Sequence, residues 1–156
     1  MGKLEAIWLK RTRGGPMNPV GEAVAVERRG LEGGADFDRD RHVTLIEREV
    51  FDRLKAEVDD FMEPVMRRAN LMVSGIRLEG TGDRMLAVGD LRIHIRGETR
   101  PCGQMEAAGE GLMDALDPHW GGGAHGSVVN DATIVVGDEV RCPQLCNGDP
   151  IAMVRL

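Results

Sequence analysis

The segment Thr99-Arg100-Pro101-Cys102-Gly103-Gln104 carries the residue best suited to covalent or metal chemistry in this 156-residue chain. An alternating apolar run, Leu91 to Arg96, precedes it, and an amphipathic stretch from about Gly103 to Leu116 follows. Cys102 is therefore expected at or just before a helix N-terminus, where first-turn N–H groups and the helix dipole stabilise an anion. Arg100 adds positive charge two residues away. Both effects favour the thiolate, which is the nucleophilic and metal-ligating form. A cysteine here can equally pack as a small apolar side chain, and the residues alone leave both readings open.

Other candidates are weaker. Cys142 and Cys146 have no second Cys or His pair at zinc-binding spacing, and both are expected to be dispensable. His119 and His125 become metal ligands only if the fold supplies a third. Gly121 to Gly126 satisfies G-x-G-x-x-G, but it follows an expected helix and leads into a strand, the reverse of the dinucleotide fingerprint. Its glycines are expected to serve close backbone approach or positive φ. Only Lys3, Lys10 and Lys55 are present, and none is placed to suggest a pyridoxal phosphate Schiff base.

The elements that position Cys102 are mostly strands. Apolar or alternating runs cover Glu5–Leu9, Glu22–Val26, Leu71–Ile76, Met85–Val88, Leu91–Ile95, Ser127–Val129 and Thr133–Val136. Gly89-Asp90 and Gly137-Asp138 read as tight turns. The pattern predicts a mainly β domain, a barrel or folded sheet. Two stretches have helical period. One runs from Leu45 to about Met62, with Thr44-Leu45-Ile46-Glu47 as a capping box and Pro64 beyond its end. The other runs from about Gly103 to Leu116. Arg11–Gly21 and Gly30–Arg41 read as long loops, a common location for function.

The length predicts one domain over residues 1–156, with its core at about 4–141 and a tail at 142–156. A net charge of −6 and no tyrosine argue against a nucleic-acid surface. No apolar run is long enough for a membrane span, and the first ten residues lack a signal-peptide core. Three cysteines cannot all pair within the chain, so a reducing, cytoplasmic setting is expected. Seventeen of the twenty basic residues are arginine, whose planar fork suits phosphate or carboxylate.

An ordered set of short motifs adds a resemblance. Gly30-Leu31-Glu32-Gly33 precedes Asp40-Arg41-His42-Val43-Thr44-Leu45-Ile46-Glu47. Arg68-Ala69-Asn70-Leu71, Ser74-Gly75-Ile76 and Gly89-Asp90 follow, then Pro101-Cys102, Gly121-Gly122-Gly123 and Gly137-Asp138-Glu139-Val140. In this order the chain resembles a small stand-alone MOSC domain, the domain also found at the C-terminus of molybdenum-cofactor sulfurases. Two positions depart from the family's habit: Gly34 stands where an acid is common, and Trp120 where an arginine is common.

The resemblance implies a pyruvate-kinase-type β-barrel with two or more flanking helices. It implies a molybdenum cofactor (molybdopterin) and no pyridoxal phosphate. Cys102 would be the catalytic cysteine and metal ligand, and Arg68, Asn70 and Arg41 the cofactor contacts; Arg100 is expected to join them on the ground of its charge beside Cys102. The implied activity is an oxidoreductase component that reduces a small-molecule, N-hydroxylated substrate with electrons from a partner reductase. The alternative is a sulfur carrier that holds a persulfide on Cys102, loaded by a cysteine desulfurase. A third reading is a module that senses the cofactor without chemistry.

Overall fold

Short apolar runs broken by glycine turns cannot bury themselves as helices, and here they pair as strands. The structure, a computed structural model, describes residues 2–12, 14–35, 37, 42–57, 64, 68–99 and 123–142. In chain order its elements are β1 (Gly2–Lys10), β2 (Met17–Val20), β3 (Glu22–Val26), β4 (Gly30–Leu31), β5 (Val43–Glu47), α1 (Arg48–Glu57), β6 (Leu71–Ser74), β7 (Met85–Val88), β8 (Leu91–Glu98), β9 (Ala124–Val128), β10 (Ala132–Val135) and β11 (Glu139–Arg141).

Seven strands, in the order β11-β7-β8-β9-β5-β6-β1, form a barrel that closes where β1 pairs with β11 through Gly2↔Val140 and Lys3↔Glu139. Closure removes the open sheet edges that would otherwise invite aggregation. Neighbours are antiparallel except β5 and β6, which are parallel; the connection between them contains α1. The far half of β1 carries β2, and β10-β3-β4 make a separate small sheet. The alternation in β8 aims Leu91, Ile93 and Ile95 inward, where all three are fully buried with Leu4, Leu45, Leu71 and Leu86. Gly89 occupies the first turn position of the β7–β8 hairpin at φ 56°, a conformation that costs glycine least.

Glu98, Ala124, Leu45, Leu71 and Ile7 form one row across β8, β9, β5, β6 and β1. At its edge Thr99 N–H donates to the Gly123 carbonyl at 2.8 Å, which ties together the chain on either side of residues 100–122. Gly123 has φ 89°, and a Cβ there would run into the Leu45 carbonyl oxygen. The close-approach role expected of the glycine run is thus realised at Gly123, immediately before β9.

The sequence expectation fails at β5. The helix expected from Leu45 begins at Arg48, and Val43–Glu47 is a strand, so Thr44 and Glu47 do not form a capping box. Leu45 faces the barrel interior while Ile46 joins an outer cluster with Trp8, Met17, Ala69 and Met72. Burial on both faces removes the alternation that marks a strand. The loops expected at Arg11–Gly21 and Gly30–Arg41 contain β2 and β4. Among the described residues α1 is the one helix; the second helix expected, at 103–116, lies outside them, so two or more flanking helices are not confirmed. No helix among the described residues is long and apolar enough to cross a membrane.

Candidate functional site at the Asn70 end of the barrel

Four segments converge where β1 ends and β6 begins. The chain after β4 folds back onto β1, with Ala35 N–H donating to the Lys10 carbonyl at 2.6 Å. Gly33, at φ 85°, lies against the Arg11 guanidinium so closely that a Cβ would sit 2.9 Å from Nη1. Phe37 lies under Arg29, whose guanidinium carbon is 4.5 Å from the ring centre, a cation–π contact. Together with His42 and Asn70, these segments enclose a hollow of about 10 Å³ lined by Leu9, Lys10, Leu31, Phe37, His42 and Asn70. That is room for a single water.

Asn70 is the hub. Its side chain is buried, its Oδ1 accepts from Thr44 N–H at 3.0 Å and from Thr44 Oγ1 at 3.2 Å, and its Nδ2 donates to the Trp8 carbonyl at 3.3 Å. One amide therefore joins the starts of β5 and β6 to β1. His42 accepts the Val128 N–H on Nδ1 at 3.0 Å. Its neutral form accordingly carries the proton on Nε2.

Arg68 is exposed and adopts φ 57°, a left-handed conformation that costs a non-glycine residue about 1 kcal/mol or more. Its Nη2 donates to the Gly15 carbonyl at 2.5 Å, which uses one of five guanidinium N–H donors. Arg68 and Asn70 thus share one short segment, with Asn70 on the hollow and Arg68 in solvent beside it. Arg41, Arg100 and Cys102 lie outside the described residues, as do His119, Trp120 and Cys146. Cys142 is described: it is 3% exposed within the barrel core, and its thiol faces the Met85 carbonyl at 3.7 Å. No group of three metal-ligating side chains occurs among the described residues.

Sequence reasoning missed Lys10, Arg11, Phe37 and Thr44 as parts of this end, and read His42 only as a motif position. Asn70 was named through the Arg-x-Asn pair of the family resemblance. Nothing local signals that Thr44, 26 residues earlier, is its partner.

Cationic side chains of this kind can hold a phosphate-bearing group. Lys10, Arg11, His42 and Arg68 present cationic or N–H donors, and the glycine-bearing 30–34 segment brings backbone close to them. The hollow itself, at about 10 Å³, is far too small to take a pterin.

The MOSC domain family model matches residues 14–141. The fold is similar to the YuaD protein from Bacillus subtilis, at TM-score 0.73 and 16% identity over 90% of this chain and 94% of that one. It is also similar to YiiM from Geobacillus stearothermophilus (TM-score 0.71, 14% identity, 91% and 75% covered). YiiM from Escherichia coli gives TM-score 0.65 and 17% identity over 90% of this chain and 69% of that one. No curated protein matches the sequence.

Proposed function

Since the chain belongs to the MOSC domain family, we propose that it binds the molybdenum cofactor and works in the reducing cytoplasm as a Cys102-dependent oxidoreductase component. The observation that carries this reading is the cationic character of the barrel end that the buried Asn70 organises: Lys10 and His42 line its hollow, Arg11 lies against Gly33 and Arg68 reaches the Gly15 carbonyl. Such a set suits a phosphate-bearing ligand, since guanidinium forks match phosphate oxygens.

The residues divide the work. Arg68 and Arg11 would hold phosphate oxygens, with Arg41 and Arg100 as further contacts. Asn70 spends three hydrogen bonds on Thr44 and Trp8, so its main task is to hold the segment that presents Arg68. Its second Nδ2 hydrogen remains for a ligand at the mouth. Cys102 supplies a thiolate, a soft ligand suited to the metal. Bound there, the cofactor supplies two-electron redox chemistry. Reduction of an N-hydroxylated compound consumes two electrons and two protons and releases water, so an electron-donor reductase is required.

Metal and sulfur analysis of the chain made in a cofactor-competent host tests the proposal. Stoichiometric molybdenum that is lost in Cys102→Ser is the expected result. Cyanide-labile sulfur without metal would overturn it in favour of sulfur carriage.

A further inference from the structure

At the opposite end of β5 from Asn70, a cleft of about 660 Å³ opens between the first turns of α1 and the connection that leaves β6. Its volume falls in the range typical of small-molecule sites. Four charged side chains line it: Glu47, Glu49, Arg53 and Arg77.

The two carboxylates are fixed by backbone. Glu47, 8% exposed, accepts the Leu78 N–H, and Glu49 Oε2 accepts the Gly75 N–H at 2.7 Å. The two guanidiniums are exposed. Among the described residues neither forms an ion pair with either carboxylate. Elsewhere on the same helix the cation does pair: Arg48 reaches Glu5 at 3.2 Å and Asp52 at 3.8 Å. The cleft therefore holds two charges of each sign with no direct ion pair between them, although Arg77 acts on Glu47 through space. A simple anion there meets two carboxylates, and a simple cation meets two guanidiniums. A ligand that carries both signs satisfies all four.

We propose that this cleft binds a small zwitterion of the amino acid or dipeptide class, its carboxylate on Arg53 and Arg77 and its ammonium on Glu47 and Glu49. Guanidinium forks suit the carboxylate, and fixed acceptors suit the ammonium. The inference is independent of any cofactor at the Asn70 end.

Titration of the full chain with glycylglycine, followed by amide NMR, tests it. Saturable shifts at Gly75, Arg77 and the first turns of α1 are expected, while acetate and methylammonium bind at least tenfold more weakly. Arg77→Gln and Glu47→Gln should each weaken glycylglycine at least tenfold. Arg77 is exposed, so its variant tests binding in an intact fold, which a melting curve checks. Equal affinity for acetate, no saturation by glycylglycine at tens of millimolar, or unchanged affinity in folded Arg77→Gln would overturn the proposal.

Discussion

Asn70 and Thr44 hold each other through four hydrogen bonds. Asn70 Oδ1 accepts from the Thr44 N–H and hydroxyl, while the Asn70 N–H is shared between Thr44 Oγ1 and the Thr44 carbonyl, both at 3.1 Å. The pair fixes the point where the parallel strands β5 and β6 begin. It therefore fixes the backbone from which Arg68 projects.

Asn70→Ala should be costly for stability before it is costly for binding. It leaves the Thr44 N–H and the Trp8 carbonyl without their partner in a buried setting, at about 1–3 kcal/mol for each unsatisfied group. In a chain of this size each kcal/mol moves the melting temperature by about 2–4 °C. Thermal unfolding should show a fall of several degrees. Arg68→Gly should show the opposite balance: relief of the left-handed strain keeps the melting point level or raises it, while cofactor retention falls. A melting temperature unchanged in Asn70→Ala would remove the clamp from the account.

Gly123→Ala should destabilise by roughly 3 kcal/mol or more, since it adds backbone strain at positive φ to a collision with the Leu45 carbonyl. The obstacle is backbone, so no rotamer change relieves it. Gly97→Ala is the matched control: its Cβ would meet only His125 Cε1 at 3.8 Å, an ordinary contact. Denaturant unfolding of the two variants should separate them clearly.

Glycine turns and the alternation of β8 were legible in the sequence because they are local. Leu91, Ile93 and Ile95 announce an inward face by spacing alone. The run Val43-Thr44-Leu45-Ile46-Glu47 was not legible as a strand. Leu45 points into the barrel and Ile46 into the outer cluster, so the apolar run merges with the period of α1. Of the candidate site, Arg68 and Asn70 were named through the family resemblance, but the partners of Asn70 were not legible. Thr44, Trp8 and Lys10 reach Asn70 only through strand pairing over long sequence separations, which no local pattern encodes.

Glu47→Gln should stabilise the protein at neutral pH. Burial pushes the Glu47 carboxyl above its ordinary range, aided by Glu49 and Glu79 and opposed by the Leu78 N–H and Arg77. The folded value is raised over the unfolded one. Its contribution to stability is therefore fully present below the unfolded value and is lost as pH rises through the folded value. At neutral pH the ionised side chain is a cost that glutamine avoids, while glutamine still offers an acceptor to Leu78. The melting-temperature advantage of the variant should shrink as pH falls into the carboxylate range. An advantage that is constant with pH would show that charge burial is not its cause.

The two thiols Cys102 and Cys142 should differ sharply in reactivity. Cys142 is 3% exposed in the barrel core, with its Sγ directed at the Met85 carbonyl. At that exposure iodoacetamide should not reach it without unfolding. Cys102 is expected where a strand gives way to a helix, beside Arg100 and followed by Gly103, so that backbone N–H groups stabilise its anion. Mass spectrometry of the folded protein alkylated near neutral pH should find Cys102 modified first and Cys142 only after denaturant is added. Cys142→Ser keeps a donor for the Met85 carbonyl and should leave molybdenum or sulfur loading intact, while Cys102→Ser should abolish loading with the fold retained. Loss of loading in a folded Cys142→Ser variant, or alkylation of Cys142 ahead of Cys102, would assign the chemistry to the wrong sulfur.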